Sequence, residues 1–118
     1  MHRVRVAREV RDFIGGLSPA TRRLVRIAIA RFARGQWQDT REWPDFHRRL
    51  EGNLAGLGRV RAGRIRLIYL ETSDNEGPVK VFFHAGWRAT VYEALESLIA
   101  TDTIWRLRKQ GDTEDPSA

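Results

Sequence analysis

The stretch of sequence that decides the fold is residues 58–71, which read GRVRAGRIRLIYLE. Polar and apolar residues alternate over residues 59–67, and the dipeptide Ala62-Gly63 interrupts the alternation. This pattern is typical of a β-hairpin, because side chains alternate between the two faces of a strand and glycine favours a tight turn. It predicts one strand over 58–62, a turn at Ala62-Gly63 and a second strand over 64–71.

Four arginines bracket this turn: Arg59, Arg61, Arg64 and Arg66. In a two-residue hairpin Arg61 lies opposite Arg64, Arg59 lies opposite Arg66, and all four point to one face. Like charges that face each other destabilise a sheet by up to about 1 kcal/mol per pair. A phosphate-binding site gains from the arrangement, since each guanidinium can fork onto anionic oxygens. Alternatively, the arginines fan into solvent, or a bulge turns Arg64 away.

The remaining elements are predicted outward from the hairpin. They are a strand over 2–6, helices over 8–14 and 19–34, a strand over 79–84, and a helix over 91–100. Ser18 and Pro19 are typical of a helix start, and Thr90 with Glu93 forms a capping-box pattern. Residues 36–56 are interpreted as a Trp-rich packed loop with one helical turn over 46–50. A helical stretch near Ile104, Trp105 and Leu107 precedes a polar tail.

The element order is therefore β-α-α-β-β-β-α, which predicts an α+β fold. Short turns between consecutive strands favour a small antiparallel sheet with the helices packed on one face. The chain is predicted to form a single domain over residues 1–110, followed by a disordered polar tail over residues 111–118.

The amino-acid composition and net charge limit the classes of protein to which the chain can belong. The 118 residues include 19 arginines, two lysines and no cysteine, with a net charge of +6. Residues 1–70 carry 16 arginines against six acidic residues, and such a basic surface attracts polyanions such as nucleic acid. The chain has no apolar run of about 20 residues and no signal-peptide pattern, so we expect a cytoplasmic protein without disulfides.

A second group of chemically suggestive residues follows the last strand: His84, Arg88 and Tyr92. A phenol can donate or accept a proton, and nearby cations favour its ionised form. Tyr92 is therefore a candidate acid or base, and His84 is a weaker one. The three histidines of the chain have no metal-ligand spacing, and no phosphate-cradling glycine loop or serine nucleophile elbow is present.

These stretches resemble the RelE/ParE superfamily of bacterial toxins, which belong to type II toxin–antitoxin systems. The resemblance spans most of residues 3–98. In the RelE branch, the resemblance implies ribosome-dependent cleavage of mRNA in the A site without a metal or other cofactor. By motif position, Arg66, Arg88 and Tyr92 are then the catalytic residues. The RNA-binding residues are Arg59, Arg61, Arg64 and His84.

The resemblance also implies a cognate antitoxin as partner, besides the ribosome and its mRNA. An acidic or amphipathic segment of that antitoxin could lie on the basic helix 19–34 or fill the arginine site. Some RelE-like proteins have lysines where this chain has arginines, and an arginine cannot easily act as general base. The alternative is a ParE-like inhibitor of DNA gyrase without nuclease activity, which has no need of the trio Arg66, Arg88 and Tyr92. A nucleic-acid-binding module without enzymatic activity is a third hypothesis.

Overall fold

The computed structural model describes residues 2–100 and confirms the α+β fold. The strands are β1 (Val4–Val6), β2 (His47–Arg49), β3 (Leu57–Ala62), β4 (Ile65–Asp74) and β5 (Gly77–Trp87). The helices are α1 (Arg8–Gly15), α2 (Pro19–Ala33) and α3 (Val91–Ala100), and a single 3-10 turn spans Gly52–Leu54. The predicted helical stretch near Trp105 and the tail 111–118 lie outside the described residues.

The sheet has the order β1-β5-β4-β3-β2, and one of its pairings differs from the prediction. The pairs β2–β3, β3–β4 and β4–β5 are antiparallel, whereas β1 runs parallel to β5, with Val4 opposite Lys80. The prediction of a purely antiparallel sheet was therefore wrong at this edge. It rested on strands joined by short turns, but a parallel pair needs a long connection, and here both helices and three strands separate β1 from β5.

The Trp-rich segment contributes the edge strand β2, where one helical turn was predicted. His47 lies opposite Val60, and Arg49 lies opposite Gly58. Phe46, directly before β2, is fully buried among the residues packed beneath α2. The prediction of a turn over 46–50 was wrong because pairing with β3 and burial of Phe46 outweigh the local preference of this short segment.

The helices cover both faces of the sheet. Leu67 and Tyr69 of β4 pack in the core beneath α1 and α2, whereas Ile68 and Leu70 pack in a second core with α3. The prediction that the helices share one face is thus wrong for α3. Residues 65–70 are all buried, as expected for a strand covered on both sides, and this double burial places α3 on the face opposite the first two helices.

The turn of the β3–β4 hairpin lies one residue later than predicted, which shifts the pairing partner of each β3 residue by two positions. Ala62 pairs with Ile65, so the turn residues are Gly63 and Arg64, and Arg61 lies opposite Arg66. Gly63 has a φ of 61°, which suits the first position of a tight hairpin turn. The register follows from burial: Ala62 is fully buried as a strand residue, which leaves the exposed Arg64 in the turn.

An aromatic cluster anchors β2 and β4 to α2. The Tyr69 hydroxyl and His47 Nε2 share a hydrogen bond of 2.7 Å, and the Tyr69 ring lies 4.8 Å from that of Phe32. Trp37 stacks on both Phe32 and His47. Glycine is required at position 58, because a Cβ there would overlap the Tyr69 ring.

We expect this cluster to make stability depend on pH between about 6.5 and 4. Burial, together with the cations Arg49, Arg59 and Lys80, lowers the pKa of His47 from 6.5 to about 4. The unfolded chain binds more protons than the folded one in this range, so the free energy of unfolding falls as pH falls, by at most about 3 kcal/mol.

Urea denaturation at pH 7 and pH 4.5 measures this loss. His47→Gln keeps a polar side chain but cannot titrate, so its stability should change less between these two pH values; His84, whose pKa burial also lowers, contributes to the pH dependence of both proteins. The Arg3 guanidinium holds the pKa of Asp74 at about 2. Asp74 therefore loses its contribution to the free energy of unfolding only at lower pH and does not affect the comparison between pH 7 and pH 4.5. An equal loss in wild type and variant would contradict the assignment to His47.

Candidate functional site

A cavity of about 460 Å³ opens on the face of the sheet that carries α3. Strands β3 and β4, the segment after β5, the first turn of α3 and the residues around β2 all contribute to it. Its lining residues are Asp45, Arg48, Leu50, Arg59, Arg61, Arg66, Arg88 and Tyr92. Five arginines and one carboxylate therefore surround a single cavity.

Arg66 is the most constrained of these cations. Arg66 is only 6% exposed, and its Nη1 donates hydrogen bonds to the carbonyl oxygens of Gly63 (2.7 Å) and Ile65 (3.1 Å). Within residues 2–100, its other N–H groups have no acceptor and it forms no ion pair. Burial lowers the pKa of the Arg66 guanidinium, and the nearby arginines act in the same direction. The hairpin thus holds a cation in a position that a bound anion would stabilise.

Arg59 has a different environment. Its side chain is 4% exposed, and its two Nη atoms donate to Asp45 Oδ2 (3.2 Å) and Oδ1 (3.1 Å). Nη2 also donates to the Asp45 carbonyl oxygen at 3.1 Å. Arg48 pairs with the same carboxylate at 2.9 Å. At the end of the cavity next to β2, the Asp45 carboxylate therefore offsets one of the two positive charges.

The opposite end holds Arg61 and Arg88, neither of which pairs with a carboxylate in the described part of the chain. Arg61 lies beside Arg66 across the two strands. The main-chain N–H of Arg88 donates to the carbonyl oxygen of Arg64 at 2.8 Å, which fixes the segment after β5 against the hairpin. Three cations without carboxylate partners thus converge at this end.

Tyr92 lies at the same end, in the first turn of α3. Its ring is half-buried against the core beneath that helix. The neighbouring Val91 positions the helix by packing on the backbone at Gly86, where a Cβ would lie only 3.3 Å from Val91. Tyr92 is also close enough to Arg66 for the two side chains to interact electrostatically.

Two of the residues singled out in the sequence lie outside the lining. Arg64 is exposed in the hairpin turn. His84 is half-buried on β5, and its Nε2 is 3.1 Å from the carbonyl oxygen of Val91. Burial lowers the pKa of His84. The structure thus brings together Arg59, Arg61, Arg66, Arg88 and Tyr92, but not Arg64 or His84.

Sequence reasoning missed Asp45 and Arg48, which lie in the segment predicted to form a Trp-rich packed loop. Asp45 has a φ of 49°, in the left-handed region that aspartate tolerates better than most residues. The Pro44-Asp45 dipeptide is a turn signal, and most buried arginines are paired with a carboxylate. Those two signals together could have pointed to Asp45 as the partner of Arg59.

The described residues 2–100 contain no group of three His, Asp or Glu side chains that could hold a metal ion, and no helix among them could cross a membrane. The cavity instead offers guanidinium donors, one phenol and one engaged carboxylate. This donor set suits a phosphate group, because several N–H groups can bind its oxygens at once. The fold and cavity therefore define a small basic α+β protein with a candidate anion-binding site.

No protein-family model and no curated protein matches the chain. Among solved structures, it is similar to a chain in the crystal structure of the toxin–antitoxin complex RelBE2 from Mycobacterium tuberculosis. The two sequences are 28% identical, the match covers 74% of this chain and 98% of that chain, and the TM-score is 0.48.

Proposed function

We propose that this protein is the toxin of a type II toxin–antitoxin system and cleaves mRNA on the ribosome without a metal ion. The observation that carries the proposal is the grouping of Arg61, Arg66 and Arg88, without carboxylate partners among the described residues, around Tyr92 in one cavity. The resemblance of the hairpin and of residues 84–92 to the RelE branch supports the same reaction.

In this reaction the 2′-oxygen of a ribose attacks the adjacent phosphorus, and the bond from phosphorus to the 5′-oxygen breaks. The products are a 2′,3′-cyclic phosphate and a 5′-hydroxyl, whose oxygen takes a proton from solvent. Tyr92 accepts the proton of the 2′-hydroxyl on its deprotonated phenolic oxygen and releases it to solvent after the products leave. Asp45 is the other lining group that could accept it, but both of its carboxylate oxygens are held by arginines.

The arginines stabilise charge rather than move protons. Arg66 and Arg88 donate to the non-bridging phosphate oxygens, whose negative charge grows as the pentavalent transition state forms. Preorganised donors of this kind supply a large share of the rate enhancement in many enzymes. Arg61 binds the neighbouring part of the RNA. Arg59 is engaged in its ion pair with Asp45 and lines the wall of the cavity.

The resemblance and the charge of the chain support two further parts of the proposal. A cognate antitoxin with an acidic segment neutralises the toxin, since basic helix α2 and the arginine cavity both favour an acidic partner. The protein acts in the cytoplasm, where ribosomes and mRNA are found.

The test is cleavage of a defined mRNA by the purified protein in the presence and absence of programmed ribosomes. We expect cleavage only with ribosomes, and products that carry 2′,3′-cyclic phosphate ends. Tyr92→Phe should lower the cleavage rate by about 100-fold or more, because removal of a positioned proton acceptor typically has an effect of this size. Arg11→Gln, an exposed substitution on α1, should cleave at the wild-type rate.

A gyrase supercoiling assay with the same preparation separates the two branches of the superfamily. Inhibition of supercoiling without any mRNA cleavage would replace the proposal by the ParE-like alternative. Full activity of Tyr92→Phe would exclude the proposed role of the phenol.

A further inference from the structure

A second and a third cavity adjoin the arginine cavity, because each of them shares a lining residue with the one before it. Arg61 lines the arginine cavity and also a cavity of about 170 Å³ beside the hairpin turn. Trp43 lines that second cavity and also a third one of about 350 Å³ on α2. We call this series of three cavities the basic track.

The hairpin turn and α2 form the walls where the basic track leaves the sheet. Gly63 lies so close to α2 that a Cβ there would be 3.0 Å from Leu24, and both residues line the second cavity. Trp43 and Pro44 complete this part of the lining. They offer an indole and a proline ring between two groups of cations.

The α2 end of the basic track is strongly cationic. Its lining includes Arg23, Arg26, Arg31 and Arg34, and no arginine of α2 pairs with a carboxylate within residues 2–100. Arg31 lies over the rings of Trp43 and Phe46, with its guanidinium carbon 5.8 Å and 5.1 Å from the ring centres. This stacking holds Trp43 in place between the second and third cavities.

We infer that the basic track binds a single strand of RNA that continues from the phosphodiester in the arginine cavity, with a base on Trp43 and phosphates on the arginines of α2. Grooves that combine cations with aromatic platforms bind single strands in this way, largely without regard to sequence. The inference rests on the proposed function for the identity of the strand. It gives a role to the Trp-rich segment, which the sequence alone did not explain.

An acidic polypeptide is the competing occupant of the α2 end. The continuity of the track favours RNA, because the same Arg61 faces the candidate phosphodiester site and the second cavity. Glu42 is the one carboxylate lining the track that has no cationic partner in the described range, and it should weaken RNA binding locally.

The experiment measures binding of the full-length protein to two single-stranded RNAs over a range of salt concentrations. One RNA is a trinucleotide, which fits the arginine cavity alone, and the other is about four times as long. Each phosphate contact adds about 0.7 to the slope of log affinity against log salt concentration. We expect a slope that is steeper by at least about 1.4 for the longer RNA.

Matched variants locate the extra contacts. Arg26→Gln combined with Arg34→Gln should reduce the slope by about 1.4 for the longer RNA and leave trinucleotide binding unchanged. The control, Arg8→Gln combined with Arg11→Gln on α1, removes the same charge and should change neither slope. Glu42→Gln should strengthen binding of the longer RNA. Ultraviolet crosslinks of the longer RNA should fall on the tryptic peptide 42–48, which contains Trp43.

The outcomes separate this inference from the proposed function. Equal slopes for both RNAs, or equal slopes for the α2 and α1 variants, would overturn the basic track even if mRNA cleavage is normal. Binding of polyglutamate that the α2 variant loses, with RNA binding unchanged, would assign the α2 face to an acidic protein instead. Length-dependent RNA binding without ribosome-dependent cleavage would support the basic track as an RNA-binding surface and contradict the proposed nuclease activity.

Discussion

Arg66→Gln should lower the rate of ribosome-dependent mRNA cleavage by about 100- to 1,000-fold, the typical cost of removing one preorganised donor to a developing negative charge. Two backbone carbonyls hold Nη1 of Arg66, so its remaining donors are fixed before substrate binds. The buried guanidinium has no counter-ion among residues 2–100, and a transition state that gains negative charge supplies one. Glutamine keeps a hydrogen-bond donor but loses the charge.

Single-turnover cleavage on programmed ribosomes measures this effect, and the expected loss is in the rate of the chemical step rather than in binding. Arg11→Gln serves again as the matched control, because it removes the same charge from an exposed position on α1. The free energy of unfolding of Arg66→Gln should change little, because the substitution removes two hydrogen bonds to the backbone but also removes a buried cation that no carboxylate stabilises. A variant that is stable and cleaves at the wild-type rate would disprove the proposed role of Arg66.

Asp45→Asn should lower the free energy of unfolding by about 2–3 kcal/mol. Breaking a buried ion pair typically costs about 3–5 kcal/mol because the remaining charge is left uncompensated, and the 36% exposure of the Asp45 side chain reduces this value. Asparagine is the suitable replacement, because it tolerates the left-handed backbone conformation at this position. The substitution therefore tests the charge and not the turn.

A double-mutant cycle that combines Asp45→Asn with Arg59→Met tests whether the loss of stability comes from the Arg59–Asp45 ion pair. Once the guanidinium is absent, Asp45→Asn should cost little further stability, so the two effects should not add. Urea denaturation of the four proteins measures the coupling. Additive losses would mean that Asp45 stabilises the fold through its backbone turn or through Arg48.

The sequence predicted the elements that depend on local pattern. The hairpin, the two N-terminal helices and α3 follow from alternation, helical spacing and capping residues, and all of them are present. The strand β2 and the parallel β1–β5 pair could not be predicted in this way, since they depend on partners far along the chain. The hairpin register also depended on tertiary packing, because burial of Ala62 under α2 moves the turn to Gly63 and Arg64.

The residues of the candidate site were also predicted only in part. Residue types and motif positions indicated five residues that line one cavity, among them Arg66, Arg88 and Tyr92. Their roles in catalysis and RNA binding stay predictions. The sequence could not indicate that Asp45 neutralises Arg59, because an ion pair across 14 residues depends on how a loop folds against a strand. It also could not show that the Trp-rich segment links the cavity to α2.

The pairing of β1 with β5 affects when the structure can form during synthesis of the chain. The strand partner of Val4 is Lys80, which is synthesised much later, and Arg88 and Tyr92 leave the ribosome later still. Contacts between such distant parts of a chain form slowly compared with local helices and hairpins. A nascent chain from which Arg88 and Tyr92 have not yet emerged therefore lacks the complete cavity, so the candidate site forms only late in synthesis.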